Sequence, residues 1–415
     1  MGAGCPTSLE VGGTICMLFN RSPTPKGMGH PVPRYGFPPM VTDKSRQRDF
    51  PHLHGMTYLN TAAEGIPSAG VEQALLTYFN DKRLGMDGRV LHEEHWNAAR
   101  EGAATMLGLS TDEIGLCSCS SEAYNLAAMA LQLRDGDEVI INDLDFPAGA
   151  TPWLQSTCPA ATKLWRSRNG RLAVDDLIPL LSSKTRLVTV SLVSFYNGFM
   201  VPLPPVIDAI RKHSDALLAV DVTQALGRVP LSLDGVDLIV SSTHKWILGP
   251  HGGGIVGVPA HRANKWTVPA GGWFNLENAF DADRFERAIS KPGAASFSVG
   301  MPNFPAVYAL NAALAYINTI GVEAIHRHAQ PLVHACMREL RQLPVELITP
   351  DEDETLAGII AFRHPRADAI HQRLHEQRIH VMHHAGRLRI AIHGYNTAND
   401  IERFIGTLKE ALDHV

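Results

Sequence analysis

The stretch "VDLIVSSTHKWILGPHGGG" ends an apolar run in Ser242, His244 and Lys245, then places four glycines in the six residues 249–254. A second run, "LLAVDVTQA", ends in Asp221, with Gln224 three residues on. A third, "EIGLCSCSSEAYN", ends in Ser120 and Ser121, where a helical pattern begins. Each has an ordinary explanation alone. A strand-end Asp caps a helix or opens a turn, a single lysine is solvated, and paired serines form an N-cap. Together they set a phosphate nest, an acid and a lysine at the carboxyl ends of strands. Pyridoxal 5'-phosphate asks for that set. Its phosphate suits helix N-terminal N–H groups, hydroxyls and a histidine. A buried carboxylate keeps its ring nitrogen protonated, so that the ring acts as an electron sink. Its aldehyde needs a lysine.

Other chemistries fit less well. Gly252, Gly254 and Gly257 satisfy G-x-G-x-x-G, but that fingerprint works only between a strand and a helix. Residues 255–258 continue as a strand, and no G-K-[ST] follows a glycine-rich loop. The histidine pairs His92/His95, His371/His375 and His383/His384 lack metal-site spacing: His371-x3-His375 has no glutamate beside the first histidine. They read as solvated or hydrogen-bonded side chains, and no metal is expected. His383 and His384 are the pair to watch, as an acid or base facing a substrate.

The elements that position these residues alternate along the chain. "VEQALLTYFNDK" and "HWNAAREGAATMLG" have amphipathic helical spacing. "DEVIIND", "ATKLWR", "TRLVTVSLV", "DALLAVDV", "VDLIVSS" and "GGIVGV" are short β-like runs, with "DDLIPLLSS" and "LPPVIDAIRKH" as helical insertions. The expected fold is α/β: a mixed, mostly parallel sheet sandwiched by helices, binding its ligand beyond the strands' carboxyl ends. After residue 300 the pattern becomes α+β. The expected organisation is a poorly ordered Pro/Gly-rich extension over 1–56, a large cofactor-binding domain over 57–300 and a small C-terminal domain over 301–415.

Bulk properties narrow the setting. A net charge of −5, with 19% charged and 45% hydrophobic residues, predicts neither nucleic acid nor a membrane surface as partner. No apolar run approaches the roughly 20 residues of a membrane span. Six cysteines in 415 residues are too few for a disulfide framework. Cys117 and Cys119 have one residue between them, which is neither a redox nor a zinc spacing. "MGAGCP" has Pro6 where a myristoylation signal needs Ser or Thr, and no secretory signal pattern follows. A reduced, cytoplasmic compartment is the expectation.

From "YLNTAAEGIPS" through "SCSSEAYN", "DLDFPAGATPW", "VDVTQALG", "SSTHKWILGPHGGG" and "GMPNFPAVYALNAAL" to "LRIAIHGYNT", the chain resembles the class V aminotransferases. These are pyridoxal-phosphate enzymes of fold type I that include cysteine desulfurases, kynureninases and isopenicillin N epimerases. The resemblance spans about residues 57–410, and the Asp-x-x-Gln plus Ser-x-His-Lys combination is its strongest part. It implies that Lys245 binds the cofactor aldehyde and shuttles the substrate Cα proton. It implies that Asp221 pairs with the ring nitrogen and Gln224 with the ring hydroxyl. Ser120, Ser121, Ser242 and His244 hold the phosphate, and Phe146 stacks on the ring, where its plain alternative is core packing. Arg389 clamps the substrate α-carboxylate, its alternative being a surface charge. A homodimer that builds each site from two subunits is also implied.

Three departures bear on the reaction. Desulfurases carry a nucleophilic cysteine shortly before that arginine; here the stretch is "RIHVMHHAGRLR" and the last cysteine is Cys336, which excludes persulfide formation there. Gly300–Met301 replaces the Gly-Thr that many relatives lend to the neighbouring subunit's phosphate. "SFYNG" offers Phe195, with Asn197 displaced by two from the place of the desulfurase Asn. The expected activity is β-elimination from a cysteine conjugate, a C–S lyase acting on a small amino-acid substrate. Transamination and epimerisation are the alternatives within the family, and a non-catalytic binding protein is the alternative of another class.

Overall fold

Apolar residues sorted with a period of two build the centre of the molecule. In strand Leu217–Asp221 all five residues are buried. Leu217 and Ala219 enter one apolar core, Leu218 and Val220 another. The adjacent strand Leu238–Ser242 divides the same way, Leu238 and Val240 on one side and Ile239 on the other. Successive strand side chains point to opposite faces, so a sheet covered twice needs unbroken apolar runs. The structure, a computed structural model, describes residues 42–414, all within one compact unit.

Seven strands form the main sheet in the order Ile114–Cys117, Gly254–Gly257, Leu238–Ser242, Leu217–Asp221, Thr185–Ser191, Glu138–Asn142, Ala161–Trp165. Every neighbouring pair is parallel except those of Gly254–Gly257, which runs antiparallel to both flanking strands. The mixed, mostly parallel sheet is the expected one, and the glycine-rich segment does continue as a strand. Helices Arg89–Leu107, Leu203–His213 and Phe304–Ile320 cover one face. Ser120–Leu131 and Pro147–Leu154 cover the other. Among the described residues no single helix is long and apolar enough to cross a membrane.

A second sheet is antiparallel, ordered Met382–His384, Arg387–Ala391, Ile359–Arg363, Glu346–Leu347. Ile360, Phe362, Leu388 and Ile390 pack under helices Val322–Leu340, Ala367–Glu376 and Ala398–His414. The alternate residues therefore face the other way. Helix Phe304–Ile320 puts Val307, Leu310 and Leu314 into a core of the seven-stranded sheet. On that packing we draw the boundary of the smaller part at Gly321 rather than after residue 300. Helical periodicity marks an apolar face without saying which core receives it.

The folded body also starts earlier than residue 57. Thr42 and Ser45 form a reciprocal capping box on helix Asp43–Asp49. Arg46 pairs with Asp400 at 3.0 Å, and the Tyr316 hydroxyl donates to Asp49 at 2.8 Å. Phe50, 1% exposed, packs on the rings of Tyr316 and Tyr395. Residues 42–56 of the expected extension are thus ordered by partners far along the chain, which local composition does not reveal. The rest of that expectation, residues 1–41, lies outside the described residues. Replacing Phe50 with Ala is expected to cost about 3 kcal/mol in denaturant unfolding. An unchanged unfolding midpoint would show that this segment adds nothing to the body.

Candidate active site

Asp221 and Ser242 close adjacent parallel strands, each four positions after a residue of the core beneath helix Ser120–Leu131. The same period turns both side chains toward that helix. The Ser242 hydroxyl donates to the Ser120 hydroxyl at 3.0 Å. The N-cap is Cys119, whose Sγ accepts from the Glu122 N–H at 3.4 Å. Ser120 and Ser121 are therefore the first two helical residues, with N–H groups that no helix satisfies internally. Ser120 is buried and Ser121 exposed. Gly254 lets the returning strand pass this nest, since a Cβ there would lie 2.8 Å from the Cys119 carbonyl carbon.

Lys245 lies just past the end of its strand. Burial pushes its pKa down to about 8, with Asp221 opposing the shift and Arg389 adding to it. Burial raises the pKa of Asp221, against the Thr223 N–H it accepts at 2.8 Å and against Lys245. The Gly65 N–H donates to the His244 carbonyl at 2.8 Å. A Cβ at Gly65 would lie 2.0 Å from the Lys245 carbonyl oxygen. Only glycine allows this segment to press on the lysine's backbone. The Phe146 ring lies 5.1 Å from Lys245 Nζ and meets Phe195 edge-on at 5.1 Å. At 43% exposed it flanks an open site instead of filling a core. Gln224 accepts from Trp246 Nε1 at 2.7 Å and donates to the Ala62 carbonyl at 3.0 Å, leaving one amide hydrogen.

Arg389 is buried, not a surface charge. Its Nη1 donates to the Phe195 carbonyl at 2.8 Å, while its Nε is buried without a partner. Burial, then Arg387, pulls its pKa down to about 10. His244 stacks on His251 at 4.6 Å, and His251 meets Glu64 at 2.9 Å. Burial and Lys245 lower the His244 pKa.

The two histidines expected to face a substrate part company on their strand. His383 lies opposite Leu388, on the helix-facing side of its sheet. Its ring is 5.4 Å from that of His371, and its Nε2 is 3.5 Å from Asp368 without hydrogen-bond geometry. His384, exposed at the end of its strand, lies opposite Arg387 and so on the face that carries both arginines. A strand's period of two sends neighbours to opposite faces, so an adjacent pair could not both serve one site. Asn197 is taken up by the Gly170 carbonyl and the Phe199 N–H, and Met301 is half exposed beside Gly300. Asp145, not anticipated, immediately precedes Phe146 and accepts from the Ser191 N–H at 2.6 Å and Asn142 Nδ2 at 2.8 Å. Burial, with Asp221 adding to it, pushes its carboxyl up to about 7. The strand-end rule that found Asp221 also applies to "VIINDLDF".

These groups fit pyridoxal 5'-phosphate. Ser120, Ser121, Ser242 and His244 would hold its phosphate, Asp221 its ring nitrogen, Gln224 its ring oxygen and Lys245 its aldehyde. Phe146 would cover the ring, and the unpartnered Nε of Arg389 leaves a donor for a substrate carboxylate. Fold and site together define a pyridoxal-phosphate enzyme of fold type I. The family model described as aminotransferase class-V matches residues 67–404, and the chain belongs to that family. It is 26% identical over 369 residues to the uncharacterized aminotransferase YcbU of Bacillus subtilis (strain 168), covering 88% of this chain and 97% of that one. Its fold is similar to the apo structure of the cysteine desulfurase from Thermococcus onnurineus NA1, with TM-score 0.81, 21% identity, and 90% and 98% of the two chains covered. It is also similar to the cystine C–S lyase C-DES solved with its product cysteine persulfide, with TM-score 0.80, 22% identity, and 86% and 98% covered.

With its pKa near 8, about a tenth of Lys245 is the neutral, nucleophilic amine at pH 7. The rate of cofactor uptake by the apoprotein is expected to rise with pH through a midpoint near 8. Asp221 favours the charged lysine, so Asp221→Asn should move that midpoint lower. A midpoint above 10 in the parent would count against the assignment of Lys245.

Proposed function

We propose that the protein is a C–S lyase that eliminates a thiol from an S-substituted cysteine. One observation carries the choice within the family: the stretch before Arg389 holds no thiol. Cys336, the last cysteine, is wholly buried in the core of the smaller part, and burial pushes its thiol well up. A chain of this family without a sulfur acceptor there still has everything needed to break a Cβ–S bond. The fold it shares with a solved cystine C–S lyase supports the same reading.

When bound, the cofactor delocalises the electron pair left at the substrate's Cα. The protein's own groups do the rest. Arg389 holds the α-carboxylate through a planar fork. Lys245, whose burial favours the neutral amine, takes the Cα proton on its free Nζ. Asp221 keeps the ring nitrogen protonated, and the Ser120/Ser242 hydroxyl pair with His244 anchors the phosphate. As the Cα–H bond breaks, a Cα=Cβ bond forms and the Cβ–S bond breaks, the thiolate leaving with its electron pair. Water then hydrolyses the released enamine to pyruvate and ammonia. The presence of Asp221, His244 and Lys245 in one site argues against a non-catalytic binding role.

Incubating the purified protein with S-substituted cysteines should yield pyruvate and thiol in equal amounts. Lys245→Ala should lose both products and the borohydride-trapped cofactor adduct. Accumulation of the pyridoxamine form without pyruvate would make the enzyme an aminotransferase and sink the lyase reading. The reading also includes a homodimer. The exposed apolar side chains of Leu84, Met86, Phe280, Phe285 and Met301 support it. Light scattering should give twice the chain mass of 45.2 kDa; a monomer at working concentration would exclude a shared site.

A further inference from the structure

Strand Arg387–Ala391 carries a second arginine two residues before Arg389, on the same face. Both side chains are 4% exposed. Each gives one Nη1 bond to a backbone carbonyl of the larger part: Arg387 to Tyr196 at 2.7 Å, Arg389 to Phe195 at 2.8 Å. Each also keeps its Nε buried with no partner. Among the described residues no carboxylate pairs with either. Arg387 lowers the pKa of Arg389, and Arg363, itself paired with Glu346, lowers that of Arg387. Two neighbouring buried guanidiniums without a carboxylate are costly, and an anion placed between them removes the cost.

The surroundings show where that anion would come from. The Arg387 guanidinium lies over the Tyr196 ring at 4.2 Å and 5.9 Å from the Phe195 ring. Phe195 meets Phe146, and Phe146 lies beside Lys245 Nζ. A wall of aromatic rings thus runs from the reactive lysine to the second arginine. One molecule lying along that wall would face Lys245 at one end and Arg387 at the other.

We propose that Arg387 is a second anion-binding residue and that the substrate is an amino acid with a carboxylate on its side chain. The proposal rests on the reading of Arg389 as the α-carboxylate clamp. Under the lyase reading, such a substrate is an S-substituted cysteine whose thiol part ends in a carboxylate. Arg387 reads that distal group and Arg389 the proximal one. The sequence signal is the "RLR" alternation, which a strand converts into two forks on one face.

The test uses unreactive acids on the cofactor-loaded protein, followed by calorimetry and by the cofactor's absorbance. Succinate and glutarate should bind at least about tenfold more tightly than butyrate, as an added charge-assisted pair predicts. Arg387→Gln should erase that preference and leave butyrate affinity within about twofold of the parent. Arg387→Lys, which keeps the charge without the fork, should keep part of it and serves if the glutamine variant does not fold. Equal affinity of the parent for mono- and dicarboxylates would overturn the proposal. So would an Arg387→Gln protein that weakens both acids alike, since a plain strut to Tyr196 would do that. Arg389→Gln separates the two claims: unchanged butyrate binding there would unseat Arg389 and leave the preference assigned to Arg387 standing by itself.

Discussion

Burial opposes charge at both Lys245 and Asp221, in opposite directions, lowering one pKa and raising the other. Each ion offsets part of the other's cost. The balance leaves an amine that titrates near pH 8 in a site prepared for a cation at the acid. Much of the surrounding structure holds that couple in place. The Asp strand and the lysine strand are direct neighbours in a parallel register. The loop through Gly65 closes on the lysine's backbone from the other side. Asp145 adds a second buried carboxyl to the same region, and its proximity to Asp221 is part of why its own ionisation is suppressed.

The smaller part supplies the opposing wall. Its sheet keeps apolar side chains under its own helices and turns Arg387 and Arg389 toward the larger part. The backbone carbonyls of Phe195 and Tyr196 take one bond from each arginine and orient both forks. Phe195 couples the arginines to the ring that flanks the lysine. Under the proposed function, carboxylate binding and chemistry at Lys245 would share one set of contacts.

Legibility in the sequence followed the range of the signal. Asp221, Ser242, His244 and Lys245 stand out because strand ends and chemical types are local properties. Arg389 was found through motif resemblance, and its burial came only with the structure. The His383–His384 pair divides because adjacency on a strand means opposite faces: register puts His383 under the helices and His384 opposite Arg387. The helix of residues 43–49 was hidden because its support comes from Tyr316, Tyr395 and Asp400. The packing of helix Phe304–Ile320 on the seven-stranded sheet was not legible, because an apolar stripe does not name its partner.

By itself the sequence determined the strand–helix alternation, the chemistry gathered at the strand ends and the missing thiol before Arg389. These depend on residue type and short spacing, which any local reading preserves. Only the tertiary structure decided the depth of burial, and with it the depressed pKa of Lys245 and the raised pKa of Asp145. It also decided that Arg387 and Arg389 stand together with no paired carboxylate among the described residues. Desolvation and orphaned donors depend on what approaches from distant parts of the chain, and no window of residues contains that.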